Sequence, residues 1–105
     1  MRTEDLYSGF VRLHILHHAA GGPIFGLWII EELGRHGYRL SPGTLYPILH
    51  GMERSGYLIS ERQLVQGRFR RVYSITPAGR DALALSREKV RELFGELFED
   101  RRPSM

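Results

Sequence analysis

Residues 40–58 read LSPGTLYPILHGMERSGYL, Leu40 to Leu58, a short amphipathic helix that carries a proline, Pro47, inside its own pattern. Ser41 suits the N-cap, its hydroxyl accepting from a backbone N–H near Gly43 or Thr44, and Pro42 then takes the first helical position, where its missing N–H costs nothing. Leu45, Ile48, Leu49 and Met52 fall at i, i+3, i+4 and i+7 and form the inward face. Gly43, Pro47, His50 and Arg54 lie opposite, with Tyr46 on the shoulder. An interior proline removes one hydrogen bond and crowds the carbonyl four residues earlier, at a cost of about 3 kcal/mol. That carbonyl belongs to Gly43, the most adaptable residue available, so the distortion is expected to stay within the first turn and a half. Alternatively, Pro47 marks the true start of a shorter helix capped by Thr44. In both readings a glycine and free backbone N–H groups stand at a helix N-terminus, a ready phosphate site.

Upstream, Leu6, Phe10, Leu13, Leu16 and Ala20 recur at spacings of three and four and predict a first helix over 5–20. The Gly21-Gly22-Pro23 break precedes a second helix, predicted from Ile24 to about Arg35 with Leu27, Ile30 and Leu33 on one face. Downstream the period changes. Tyr57–Leu64 and Arg68–Ile75 are rich in β-branched and aromatic residues and are joined by Val65-Gln66-Gly67, a β-hairpin signal. Phe69, Arg71, Tyr73 and Ile75 share one strand face, which favours a core place for Tyr73, while Arg68, Arg70 and Val72 share the other. Thr76-Pro77 opens a last helix, Thr as N-cap and Pro at the first position, that can run to about Asp100. Its stripe of Leu83, Val90, Leu93, Phe94, Leu97 and Phe98 is longer than the preceding unit can cover. Exposed apolar area of that kind marks a partner surface, and a second copy of the chain is the simplest partner.

Three helices, a hairpin and a terminal helix make a mainly α, α+β chain with the layout of a winged helix-turn-helix. A short helix fits the major groove, and an arginine-bearing hairpin can reach the neighbouring backbone or minor groove. The expected organisation is a DNA-binding unit over 1–76 with a two-stranded wing, a long dimerisation helix over 77–100 and a disordered tail over 101–105.

Charge supports this layout. The net charge of +3 is modest, but residues 1–38, 39–80 and 81–105 tally −1, +5 and −1. The positive excess is therefore central, and nearly all of it is arginine, which suits planar phosphate and guanine contacts. With no cysteine among 105 residues, disulfides and thiolate metal sites are excluded. The longest apolar run, Phe25 to Ile30, is too short to span a bilayer, and MRTEDLYSGF is wrong for a secretory signal. A cytoplasmic protein with no membrane partner is expected.

GTLYPILHGMERSGYL followed by GRFRRVYSITPAGRDAL, with FGLWIIEEL upstream, resembles the PadR family of transcriptional regulators over Pro23–Leu83. The Gly-Thr-Leu-Tyr-Pro core and the Arg-Arg-x-Tyr-x-Ile-Thr-x-x-Gly block stand at the family's separation. Phe69 replaces a common proline and Val72 a common aromatic, which bears on the wing tip. The single helix after Thr76 looks like the compact subgroup that dimerises through its terminal helices, implying an interface of Leu6, Phe10, Leu13, Val90, Leu93, Phe94, Leu97 and Phe98. The resemblance implies that Ser41, Gly43, Thr44, Tyr46 and Pro47 approach double-stranded DNA, and that Arg68, Arg70 and Arg71 belong to the wing. For Tyr46 the other reading is packing on the hairpin. His50 and Arg54, on the exposed face, are best aimed at base edges, with an ion pair to Glu53 or another surface acid as the other reading for Arg54. A homodimeric repressor on a pseudo-palindromic operator follows.

His14 and His18 have the i, i+4 spacing of a two-histidine metal site, but sequence supplies no third ligand, so they are weak metal candidates beside ordinary dimer-surface histidines. The family resemblance also implies small hydrophobic effectors. Phe10, Trp28 and Phe94, with Phe98, could line such a pocket, although an aromatic stripe of this kind is more often dimer core. A histidine-based metal-responsive regulator and a winged-helix protein-interaction module are the alternative functions. No cysteine nucleophile, phosphate-binding glycine loop or paired carboxylates point to an enzyme, and no cofactor is expected.

Overall fold

The computed structural model describes residues 1–99. The predicted tail, 101–105, lies outside them. The elements run α1 (Thr3–Ala20), β1 (Ile24–Phe25), α2 (Gly26–Arg35), α3 (Pro42–Arg54), β2 (Leu58–Val65), β3 (Arg68–Ile75) and α4 (Pro77–Phe98). The sheet is antiparallel in the order β1-β3-β2. It therefore has three strands, not two: Ile24 and Phe25, expected to begin the second helix, instead pair with Tyr73 and Val72. Ile24 is buried there, which a first-turn helical position would not provide.

Local chemistry accounts for most boundaries. The backbone N–H of Arg2 donates to Asp5 Oδ2 at 3.1 Å and starts α1. The Thr76 hydroxyl accepts from the Gly79 N–H at 3.0 Å and Pro77 takes the first turn of α4, as expected. Gln66 and Gly67 have φ of 51° and 79°, the two left-handed positions of a tight hairpin turn, so Val65 pairs directly with Arg68. Gly79 is obligatory for another reason. A β-carbon there would fall on the Tyr57 carbonyl, where the start of α4 seats against the base of the wing.

The core joins Val11, Ile15, Leu16 and Ala19 of α1 to Ile29 and Leu33 of α2, Leu45, Leu49 and Met52 of α3, Leu58 of β2 and Tyr73 of β3. One expectation about faces is corrected, that for α2. On α1 the buried residues are Val11, Ile15, Leu16 and Ala19, while Leu6 and Phe10, named as interface candidates, face outward. On α2 the chain buries Gly26, Ile29 and Leu33, whereas Leu27 of the expected face is exposed. Gly26 itself lies under the Tyr46 ring, and a β-carbon would collide with the phenol. α4 extends past this core, and the whole molecule measures 61 × 29 × 21 Å. Among the described residues no helix is long and apolar enough to cross a membrane.

Candidate nucleic-acid interface

Helix α3 is continuous from Pro42 to Arg54, so Pro47 lies within it and the reading in which Pro47 begins the helix is excluded. The Leu45 N–H donates to the Ser41 carbonyl at 2.9 Å, which places Ser41 at the N-cap. Its hydroxyl, however, does not cap the backbone. It donates to the Thr44 hydroxyl at 3.3 Å instead, so the first-turn N–H groups have no side-chain acceptor. Gly43 has nothing nearer than the Ser41 Oγ, 3.8 Å from where its β-carbon would stand. The glycine is therefore needed neither for packing nor for an unusual φ, and its bare backbone faces outward.

Wing and helix are fixed to each other by one carboxylate. Glu53, near the end of α3, accepts from the Ser60 N–H at 3.1 Å and from the Ser60 hydroxyl at 2.8 and 2.9 Å. Arg71 donates to the same Ser60 oxygen at 3.0 Å. Glu53 is thus bonded to Ser60, and the alternative reading of a Glu53–Arg54 ion pair is not realised among the described residues. Charge-assisted bonds of this kind are the stronger sort, and they set the register of β2 and β3 against α3.

Arg68, Phe69, Arg70 and Arg71 gather with Tyr46, Phe25 and Leu27 around one shallow depression. Arg70 lies over the Phe25 ring at 5.6 Å, and Arg62 over Phe69 at 4.4 Å. Phe69, in place of a proline, thus gives the wing tip a ring on which a guanidinium rests. Arg62 was not singled out from sequence, although strand alternation puts it on the Phe69 face. Tyr46 packs within the chain: its ring covers Gly26 and its flank borders the wing arginines. His50 is exposed beside it, ring centroids 6.4 Å apart. Tyr73 is fully buried, as expected, and burial pushes its phenol above the usual value.

Pro47 and Arg54 do not join this cluster. They line the opposite groove, between α3 and the Leu6, Phe10 and Leu13 side of α1, and the Arg54 guanidinium folds over Gly51. The ten expected DNA residues thus divide between two sides of α3.

The dimer candidates lie apart from the arginine cluster, although Leu6, Phe10 and Leu13 share the groove of Pro47 and Arg54. Leu6, Phe10, Val90, Leu93, Phe94, Leu97 and Phe98 are all exposed and Leu13 half-buried. Phe94 and Phe98 pack against each other with ring centroids 5.0 Å apart. Phe10 and Phe94 line a cleft of about 650 Å³ between α1 and α4 with Leu13, Leu83 and Val90. Trp28 is not part of it, which corrects the expected pocket. Its ring meets His18 edge-on at 5.4 Å at the start of α2, because α2 crosses α1 on the side away from α4.

Comparison with known proteins matches these features. The model of the transcriptional regulator PadR-like family covers residues 15–85. The transcriptional regulator Rv3488 of Mycobacterium tuberculosis is 59% identical over 95 residues, which is 90% of this chain and 89% of that protein. A PadR-like transcription factor from Bacteroides fragilis has a solved structure with a TM-score of 0.75 at 25% identity, over 86% of this chain and 88% of that one. A PadR-like transcriptional regulator from Bacillus cereus shares the fold with a TM-score of 0.83 at 20% identity, over 95% and 99% of the two chains. With an uncapped α3 start beside an arginine wing and an apolar face on α1 and α4, this chain belongs to the PadR-like family of transcriptional regulators.

Proposed function

We propose that this sequence-specific DNA-binding regulator works as a homodimeric repressor, lying on a pseudo-palindromic operator and blocking the promoter sterically. The observation that carries the reading is the gathering of Tyr46, from α3, with the wing arginines Arg68, Arg70 and Arg71 around one depression, on a helix whose start has no side-chain cap. Ser41, Gly43 and Thr44 would bring backbone N–H groups and hydroxyls to a phosphate. Arg68, Arg70 and Arg71 would follow the neighbouring backbone, and His50 would meet base edges from the exposed face of α3. Arg54 and Pro47 enter only where the duplex wraps toward α1. In this arrangement residues 1–76 read DNA and α4 holds the partner.

Pairing of the Leu6, Phe10 and Leu13 face with the Val90–Phe98 stripe of a second copy would remove both apolar surfaces from water. The two α3 helices would then address half-sites about 34 Å apart, or a multiple of that spacing. The Phe10–Phe94 cleft has the size and apolar lining suited to a small hydrophobic effector, whose binding would change the angle between the wings. Such a protein would work in the cytoplasm, where the chromosome is.

Selection of bound fragments from genomic DNA, in excess nonspecific competitor, tests the reading. A recovered inverted repeat is the expected result. Retention without sequence preference would refute operator recognition, and failure to retain DNA would favour a winged helix that docks on an acidic protein.

A further inference from the structure

His14 and His18 stand one turn apart on α1, and His36 closes α2 directly across from them. A ring nitrogen of each lies within 4.8 Å of the others. His14 stacks on His36 with centroids 4.5 Å apart, and His18 is 6.4 Å from His36. Three of the chain's five histidines are thus drawn from two helices to a single point.

Glu32 borders the three histidines on the side of His18 and His36. Its Oε1 lies 3.8 Å from His18 Nε2 and 3.5 Å from His36 Nε2, while its Oε2 is 3.3 Å from Arg35. Arg35 donates to Oε2, but the two imidazole–carboxylate separations are too long for hydrogen bonds. They are close to the roughly 3.4 Å that separates neighbouring ligands on a tetrahedral ion with bonds of about 2.1 Å. A second observation points the same way: His18 Nε2 is buried and has no hydrogen-bond partner among the described residues. A buried nitrogen without a partner is costly unless something occupies the gap in front of it.

We propose that His14, His18, His36 and Glu32 form a binding site for a divalent transition-metal ion of borderline character, such as Zn²⁺. Three imidazoles and one carboxylate are the donor set such ions prefer, whereas Mg²⁺ and Ca²⁺ require oxygen ligands. Burial, and next to it the neighbouring histidines, hold His14 below the usual imidazole value. Burial does the same for His18 against the pull of Glu32. Both rings therefore offer lone pairs at neutral pH. An ion there cross-links α1, which carries half of the apolar face, to the end of α2, where the chain turns toward α3.

Titrating the metal-free full-length chain with Zn²⁺ in a calorimeter, and with Co²⁺ by visible absorption, tests the site without DNA. One ion per chain, a tetrahedral Co²⁺ spectrum and a higher melting temperature with Zn²⁺ are expected. His36→Gln, at a surface position that leaves the core intact, and His14→Gln should each weaken binding at least about tenfold. His17→Gln should leave it unchanged. No stoichiometric binding, or binding undiminished in both His36→Gln and His14→Gln, would overturn the proposal. Neither outcome depends on whether the chain represses transcription.

Discussion

Two exposed surfaces of this protein differ in what makes them exposed. Around the start of α3 and the wing, the chain presents arginine, hydroxyls and bare backbone on a frame braced by Glu53, Ser60 and Arg71. Along α1 and α4 it presents leucine, valine and phenylalanine with no covering layer among the described residues. Guanidinium groups sit in water without penalty, whereas each exposed apolar Å² forgoes about 25 cal/mol of burial. On the proposed reading the first surface is complete in a single chain and meets a polyanion, whereas the second is completed by another apolar face.

The largest effect should come from breaking the second surface. Phe94→Glu places a charge in the middle of the stripe and is expected to give monomers by sedimentation. Operator affinity should fall about a hundredfold or more, because two linked half-site contacts become one. A dimer of unchanged stability would move the interface elsewhere.

On the first surface, replacing Arg68 and Arg70 together by Ala should lower affinity about tenfold for all sequences alike. It should also reduce the salt slope by roughly 1.8, the release of two phosphate counterions. An unaltered slope would take these side chains away from phosphates, while oligomeric state should not change.

Smaller effects sharpen the contrast between braced and unbraced parts. Glu53→Gln keeps the shape but weakens the bonds to Ser60, so the chain should lose about 1–2 kcal/mol in denaturant unfolding. Loosening should concentrate in the wing, visible as faster amide exchange along β2 and β3. Pro47→Ala restores a backbone donor within α3 and should stabilise the protein by about 1 kcal/mol. If binding then falls with the fold intact, Pro47 shapes or touches the DNA site; full activity would make it incidental.

Much of this was legible in local pattern. The run Pro42–Arg54 with its inward Leu45, Leu49 and Met52, the hairpin with Gln66-Gly67 and the Thr76-Pro77 start of α4 all depend on neighbours a few residues away. The arginines of the wing were legible for the same reason, since alternation along a strand fixes which side chains share a face. Other features were not. β1 is two residues long, carries no periodicity and exists only by pairing with β3 some fifty positions later. On α1 both the core stripe and the outward stripe are apolar, so spacing could not say which one faces inward.

The sequence by itself determined the order of the four helices and the hairpin, the position of α3 and the central basic charge, because these follow from hydrogen bonds and side-chain periods within a few turns. Only the tertiary structure decided that Glu53 serves Ser60 rather than Arg54, that Trp28 stands apart from Phe10 and Phe94, and that His36 meets His14 and His18. Those pairings depend on how α1, α2 and the sheet cross, and crossing is set by the summed packing of Ile15, Ile29, Leu33, Leu45 and Tyr73, not by any one segment.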